Sequence, residues 1–179
     1  MENTIAFTDT ETTGLEAGFH EIVEIGLVVA DRETLRIVDT FDTKIKPKHI
    51  ERASPKALQV NGYNEEEWQN APDLKWAMKE FGLKTIGSIM CAQNITFDYN
   101  FIRESFKQTG IKDLMSYHRI DLFTLSWVVL KDKGITRFSL KEVCKFIGVE
   151  EEPDPHVAIN GAMAAYQVYC KLMNKIPPE

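Results

Sequence analysis

Apolar residues open the chain in a short stretch, Thr4 to Thr8, and return after a polar segment in the run Ile22 to Ala30, which contains Val23, Ile25, Leu27 and Val29. Leu35 to Ile45 then alternates apolar and polar positions with the period of two expected of a half-buried strand. Asp31, Arg32 and Glu33 supply the turn between the second and third segments. Strands so closely spaced predict an antiparallel meander with one face available to pack against helices.

Beyond Pro47 the period lengthens. Ser54-Pro55 reads as an N-cap with Pro at the first helical position, and Asn61-Gly62 as the stop of a short helix. Leu74, Ala77, Met78 and Phe81 predict a helix within Ala71 to Leu83, whereas Ile86 to Ala92 is short and apolar enough for a central strand. Helices are expected over Phe97 to Gln108, Leu122 to Leu130, Ser139 to Ile147 and Val157 to Met173, with Gly134 and Gly148 as punctuation. There is no internal repeat. Strands first, then helices with one returning strand, predict an α/β or α+β layer fold.

Composition narrows the class. With 179 residues, 44% hydrophobic and 27% charged, the chain can fill one core, so a single domain over 1–179 is expected and disorder is excluded. No stretch approaches the roughly 18 apolar residues of a membrane span, and Met1 to Ala6 lacks the pattern of a secretory signal. Cys91, Cys144 and Cys170 are odd in number and widely separated, which points to a reduced cytoplasmic or other intracellular setting. The net charge of −6 disfavours a broad basic surface for duplex nucleic acid but permits a small acidic site that grips a chain end.

Candidate chemistry centres on 7-FTDTETTG-14. In a strand, Asp9 and Glu11 face the same way while Thr10 points to the other side, and Gly14 lets the backbone turn closely around a ligand. Two such acids also occur at ordinary solvated strand ends. Buried together, like charges need a proton or a cation, and a hard divalent ion such as Mg²⁺ suits carboxylate oxygens. Two ions about 4 Å apart would suit phosphodiester hydrolysis.

Further acids and a base are then expected. Asp98 follows the predicted central strand at the start of a helix, where it serves either as a ligand or as a first-turn acid favourable to the helix dipole. Asn94 is placed to cap or orient that entry, and Phe97 to offer a core or base-stacking surface. His156, at the entrance of the last helix, suits a general base, or is a solvated histidine at a helix start. His20, His49 and His118 have no comparable companions.

Together, 9-DTETTG-14, Asn94 through Asp98, and His156 before an Ala-rich helix resemble the three motifs of the DEDDh branch of the DEDD 3′→5′ exonucleases, in order and over about the whole chain. The nearest groups are the proofreading domains of bacterial DNA polymerase III and ribonucleases of the RNase T kind. The resemblance implies an RNase H-like fold, a mixed central sheet flanked by helices, and Mg²⁺- or Mn²⁺-dependent removal of nucleotides from a 3′ end with two ions. It implies Asp9, Glu11 and Asp98 as metal-binding acids and His156 as base. Around the terminal nucleotide it implies Thr12, Thr13, Leu15, Asn94 and Phe97. Implied partners are a single-stranded DNA or RNA 3′ end, a polymerase or other nucleic-acid-processing protein, or a second copy in a homodimer, and no membrane.

Two positions depart from the family pattern. The fourth acid belongs five residues after the histidine, where this chain has Gly161; Asn160 points roughly 100° away around the helix, and Asp154 precedes His156. A helical Gly costs on the order of 1 kcal/mol relative to Ala, so position 161 is either a close helix contact or a lost ligand. Asn61-Gly62 stands where relatives often carry His-Gly, which alters an expected base contact. Lys131, Lys133, Arg137, Lys141 and Lys145, and separately Lys44, Lys46, Lys48 and Arg52, offer either phosphate-binding or merely solvated surfaces.

Overall fold

The computed structural model describes residues 3–151, 153 and 155–174, so Asp154 lies outside the described residues. Strands β1 (Thr4–Thr12), β2 (Ile22–Asp31) and β3 (Ile37–Lys44) form the expected antiparallel meander. Strands β4 (Ile89–Ala92) and β5 (Arg119–Asp121) add on in parallel, giving the order β3-β2-β1-β4-β5. The middle strand is β1, and β4, read from the sequence as a central strand, lies inside the sheet with a partner on each side.

The helices are α1 (Pro55–Val60), α2 (Glu65–Trp68), α3 (Leu74–Lys84), α4 (Ile95–Thr109), α5 (Leu122–Leu130), α6 (Leu140–Ile147) and α7 (Ala158–Leu172). Ile5, Phe7 and Val28 meet Ala162, Ala165 and Tyr166 of α7 on one face, and Phe7 packs edge-on against Tyr166 at 5.4 Å. Ala6, Ile25 and Leu27 meet Phe81 of α3 and Phe101 and Ile102 of α4 on the other. Strand periodicity thus sends the odd residues of β1 toward α7 and the even ones toward α4. At Gly26 the approach is closest, since a Cβ there would lie 2.1 Å from the backbone of Ala158. The start of α7 consequently rests directly on β2.

Two elements lacked a sequence signal. Strand β5 has a single apolar residue, Ile120, and is held by its place beside β4. Its last residue, Asp121, accepts from the amide of Ile95 at 3.1 Å and from the amide of Thr124 at 3.1 Å, joining the starts of α4 and α5. Helix α2 is one turn capped by Asn64 and anchored by buried Trp68, whose Nε1 donates to the Val23 carbonyl at 2.8 Å. All three cysteines are buried and none is in a disulfide. Among the described residues, no helix is long and apolar enough to cross a membrane.

Candidate active site

Strand β1 pairs with β4 only as far as Phe7 opposite Cys91, then runs on to Thr12 alongside β2 alone. The chain leaving β4 turns away at Gln93 and Asn94 into α4, and a cleft opens beside the unpaired edge of β1. Its volume is about 260 Å³, and it is lined by Asp9, Thr10, Glu11, Gln93, Asn94, Phe97, Asp98, Leu140 and His156. A crevice at the carboxyl ends of parallel strands is the usual ligand position in such sheets.

Alternation along β1 distributes the acids between two walls. Asp9 lies against α7, where a Cβ at Gly161 would come within 2.5 Å of its Oδ2. Glu11 lies on the same side, 4.0 Å from Nδ1 of His156. Thr10 faces α4, as expected, but it is not remote from the site: its hydroxyl donates to Oδ1 of Asp98 at 2.8 Å. Asp98 itself is 3% exposed, and burial pushes its pKa up to about 7 against the opposing pull of the Thr10 hydroxyl.

These surroundings suit a cation. The cleft is lined by three carboxylates and by no Lys or Arg, with His156 4.0 Å from Glu11. As they stand, no three or more His, Cys, Asp or Glu among the described residues are gathered into a metal-holding group. The acids have other neighbours: Asp98 is bonded to Thr10, Glu11 is near His156, and Asp9 fills the space beside Gly161. The donor set is all oxygen, which fits a hard divalent ion.

Position 156 is fixed through its backbone. The His156 amide donates to the Val60 carbonyl at 3.1 Å, and a Cβ on Gly62 would sit 2.9 Å from Pro155, so the end of α1 braces this loop. The next support is Glu24, 2% exposed on β2, whose Oε1 accepts from the Ala158 amide at 3.0 Å and caps α7. Sequence reasoning passed over Glu24; an acid inside the apolar run Ile22 to Ala30 was its only signal. Asn61, which replaces the His of relatives at an altered base contact, is 3% exposed and donates to the Thr12 carbonyl at 3.1 Å.

A second, more apolar cleft of about 290 Å³ adjoins the first and shares Thr10, Glu11 and Phe97 with it. Thr12, Gly14 and Leu15 form one side; Ser54, Lys56, Ala57 and Val60 bring α1 to the other. Leu15 is 85% exposed, so it anchors nothing in the core. Phe97 is half-buried and stacks on Phe101 at 5.0 Å. Lys56 and its neighbours on α1 are further lining residues that sequence reasoning missed.

Three expectations need correction. Thr13 is fully buried, and its hydroxyl accepts from the Glu21 amide at 2.9 Å, so it closes the loop rather than lining the cleft. Asn94 does line the cleft, but its side chain does not cap α4; it sits in a left-handed conformation (φ 55°) while Asp121 takes the Ile95 amide. Lys44 and Lys46 are committed to the α2 region, the first paired with Glu67 at 3.0 Å and the second bonded to the Gln69 carbonyl at 3.0 Å.

The exonuclease family RNase_T matches residues 6–169. The chain belongs to this exonuclease family. It is 32% identical over 177 residues to the DNA polymerase III PolC-type protein of Thermotoga maritima, covering 97% of this chain and 12% of that relative. Against the DNA polymerase III epsilon subunit of Treponema pallidum it is 29% identical over 147 residues, 81% of this chain and 66% of that one. This exonuclease domain therefore spans only part of the curated relatives it matches. Its fold is the RNase H-like fold of E. coli Exonuclease I, whose zinc-bound complex with single-stranded DNA superposes with a TM-score of 0.81 at 18% identity, over 97% of this chain and 41% of that one.

Proposed function

We propose that this RNase_T-family chain is a divalent-metal-dependent 3′→5′ exonuclease acting on single-stranded or frayed 3′ ends of DNA or RNA. The observation that carries the reading is the cleft itself: Asp9, Glu11, Asp98 and His156 around one opening whose lining holds no Lys or Arg. Asp9, Glu11 and Asp98 would hold Mg²⁺ or Mn²⁺. Such ions, when bound, supply charge stabilisation for attacking and leaving oxygens.

The chain's own groups do the rest. His156, with 45% of its side chain exposed, can take the proton from water as the water oxygen bonds to phosphorus and the P–O3′ bond breaks. Glu11, 4.0 Å away, stabilises the resulting imidazolium. Thr10 keeps Asp98 oriented. The adjoining apolar cleft receives the terminal nucleoside between Leu15 and Phe97, with Lys56 beside its phosphate side. Attachment to a replicative polymerase is the partner reading that the PolC-type and epsilon relatives favour, and pairing of two copies is the other.

The decisive test is release of mononucleotides from a 3′-labelled single-stranded oligomer with Mg²⁺ or Mn²⁺, run in parallel on matched DNA and RNA. No release by the parent protein, with retained oligomer binding, would favour a second reading, a nucleic-acid-binding module with weak chemistry. Gly161 is the observation behind that alternative, because no side chain there shares a cation with Asp9.

A further inference from the structure

Helix α5 reads LFTLSWVVL, apolar everywhere except Thr124 and Ser126, a composition that normally belongs to a helix buried all round. Yet Phe123 and Trp127 remain 44% and 45% exposed. They are four residues apart and share one face, and Lys131, a further turn along, holds its Nζ 4.7 Å from the Trp127 ring. The three make a stripe of aromatic, aromatic and cation about 12 Å long.

Contacts link the stripe to the acidic cleft. Phe123 packs edge-on against Phe138 at 6.2 Å, and the Phe138 carbonyl accepts from Nε2 of Gln93 at 2.8 Å. Gln93 and Leu140 line the cleft. The same segment is the basic part of an acidic chain: residues 131–145 hold five Lys or Arg against Asp132 and Glu142, within a net charge of −6. Lys131, Lys133 and Arg137 are all exposed.

We propose that this α5 stripe is a stacking track for the single strand leading to the 3′ end, upstream of the nucleotide in the cleft. The inference rests on the nuclease reading above. Aromatic faces beside cations are the chemistry of sequence-tolerant single-strand binding, and 12 Å accommodates roughly three positions at about 3.4 Å each. Bases lie on Phe123 and Trp127, while Lys131 and Arg137 face the phosphates. The basic segment and the contacts that tie the stripe to a residue of the acidic cleft select a nucleic-acid strand over a protein as the occupant.

The test compares oligothymidylates of three and nine nucleotides, bound to the EDTA-treated full chain and followed by anisotropy of a 5′ label. The nine-mer should bind more tightly than the three-mer by roughly 10-fold or more, the gain expected from stacked bases. The Phe123→Ala/Trp127→Ala double variant should lose most of that gain and keep its three-mer affinity. Trp127→Phe should retain the gain, and Lys131→Gln should lower the slope of log affinity against log salt by about 0.7. Nine-mer binding should also quench Trp127 emission, measured as the difference between parent and Trp127→Phe. A folded double variant that binds the nine-mer like the parent overturns the track and leaves the stripe to a protein partner. Hydrolysis of the three-mer separates the two readings: if it persists with no length advantage, only the track fails; if no length is hydrolysed, the nuclease reading fails.

Discussion

On the α4 wall of the cleft, Asp98 is 3% exposed and already bonded to Thr10 at 2.8 Å, whereas on the α7 wall His156 has nearly half its side chain in solvent and position 161 has no side chain at all. Asp98 sits in the first turn of a fifteen-residue helix whose start is pinned by Asp121. His156 sits in a loop held by its amide's bond to the Val60 carbonyl and by Pro155 lying close to Gly62. The α4 wall is thus preorganised before any ion arrives, while the α7 wall has to be completed by ligands. On the proposed reading the preorganised ligand Asp98 belongs to the first wall, while Asp9, Glu11 and the base His156 lie on the second, and substitutions of a ligand and of the base should fail in different ways.

The largest effects should come from the shared strand and from the base. Asp9→Ala should reduce single-turnover release by more than the roughly 10–100-fold expected when only an outer partner of a metal ligand is lost. His156→Ala should slow the chemical step by roughly 10²-fold or more while leaving Mn²⁺ affinity, measured by calorimetry, close to the parent's. Equal loss of metal binding in both variants would erase the division between metal ligand and base. Thr10→Val comes next: it removes the hydroxyl that orients Asp98, and a loss of about 10–100-fold, relieved by excess metal, is expected. A Thr10→Val protein with parental rates at every Mg²⁺ concentration would show that Asp98 needs no such support.

Burial of Asp98 also links stability to pH. Its folded-state pKa, pushed up to about 7, exceeds the ordinary carboxylate value, so the folded protein holds a proton that the unfolded chain has released. This group favours folding most at pH values below its unfolded pKa, and that contribution falls as pH rises toward and through about 7. Melting of EDTA-treated protein between pH 5 and 8 should therefore show a declining component that Asp98→Asn removes. Added Mn²⁺ should reduce the decline because the ion replaces the proton. A decline identical in parent and Asp98→Asn would assign it to other groups.

The same contrast separates what was legible in the sequence from what was not. Asp9 and Glu11 were readable because strand periodicity alone puts them on one face, and the observed register keeps them there. Asp98 was readable from its place after a strand. The contact of Thr10 was not legible, because periodicity says which side it faces but not that Asp98 waits there. Glu24, Lys56 and Asn61 act through contacts spanning long sequence separations, such as Glu24 with Ala158, and local patterns carry no record of such partners. The short β5 and α2 were invisible for the same reason: neighbours specify them more than their own periodicity does.

Gly161 offers the finest test of the incomplete wall. A Cβ at 161 would lie 2.5 Å from Oδ2 and 2.7 Å from Cγ of Asp9, so any side chain there must rotate the Asp9 carboxylate away. Gly161→Ala gains up to about 1 kcal/mol of helix propensity but displaces Asp9 without adding a ligand, and it should turn over more slowly than the parent. Gly161→Asp causes the same displacement and adds like charge beside Asp9, which destabilises the metal-free protein. With a divalent ion between them, the two carboxylates become co-ligands, and the variant should bind metal more tightly and release nucleotides faster than the parent. The gain should be a few-fold, largest at limiting Mg²⁺, because excess metal compensates for a missing ligand. Metal titration with single-turnover hydrolysis of all three proteins, each checked for folding, decides it. A folded Gly161→Asp that improves on Gly161→Ala in neither metal affinity nor rate would remove the missing ligand as the cause of a weak α7 wall, leaving the exposed His156 loop to account for it.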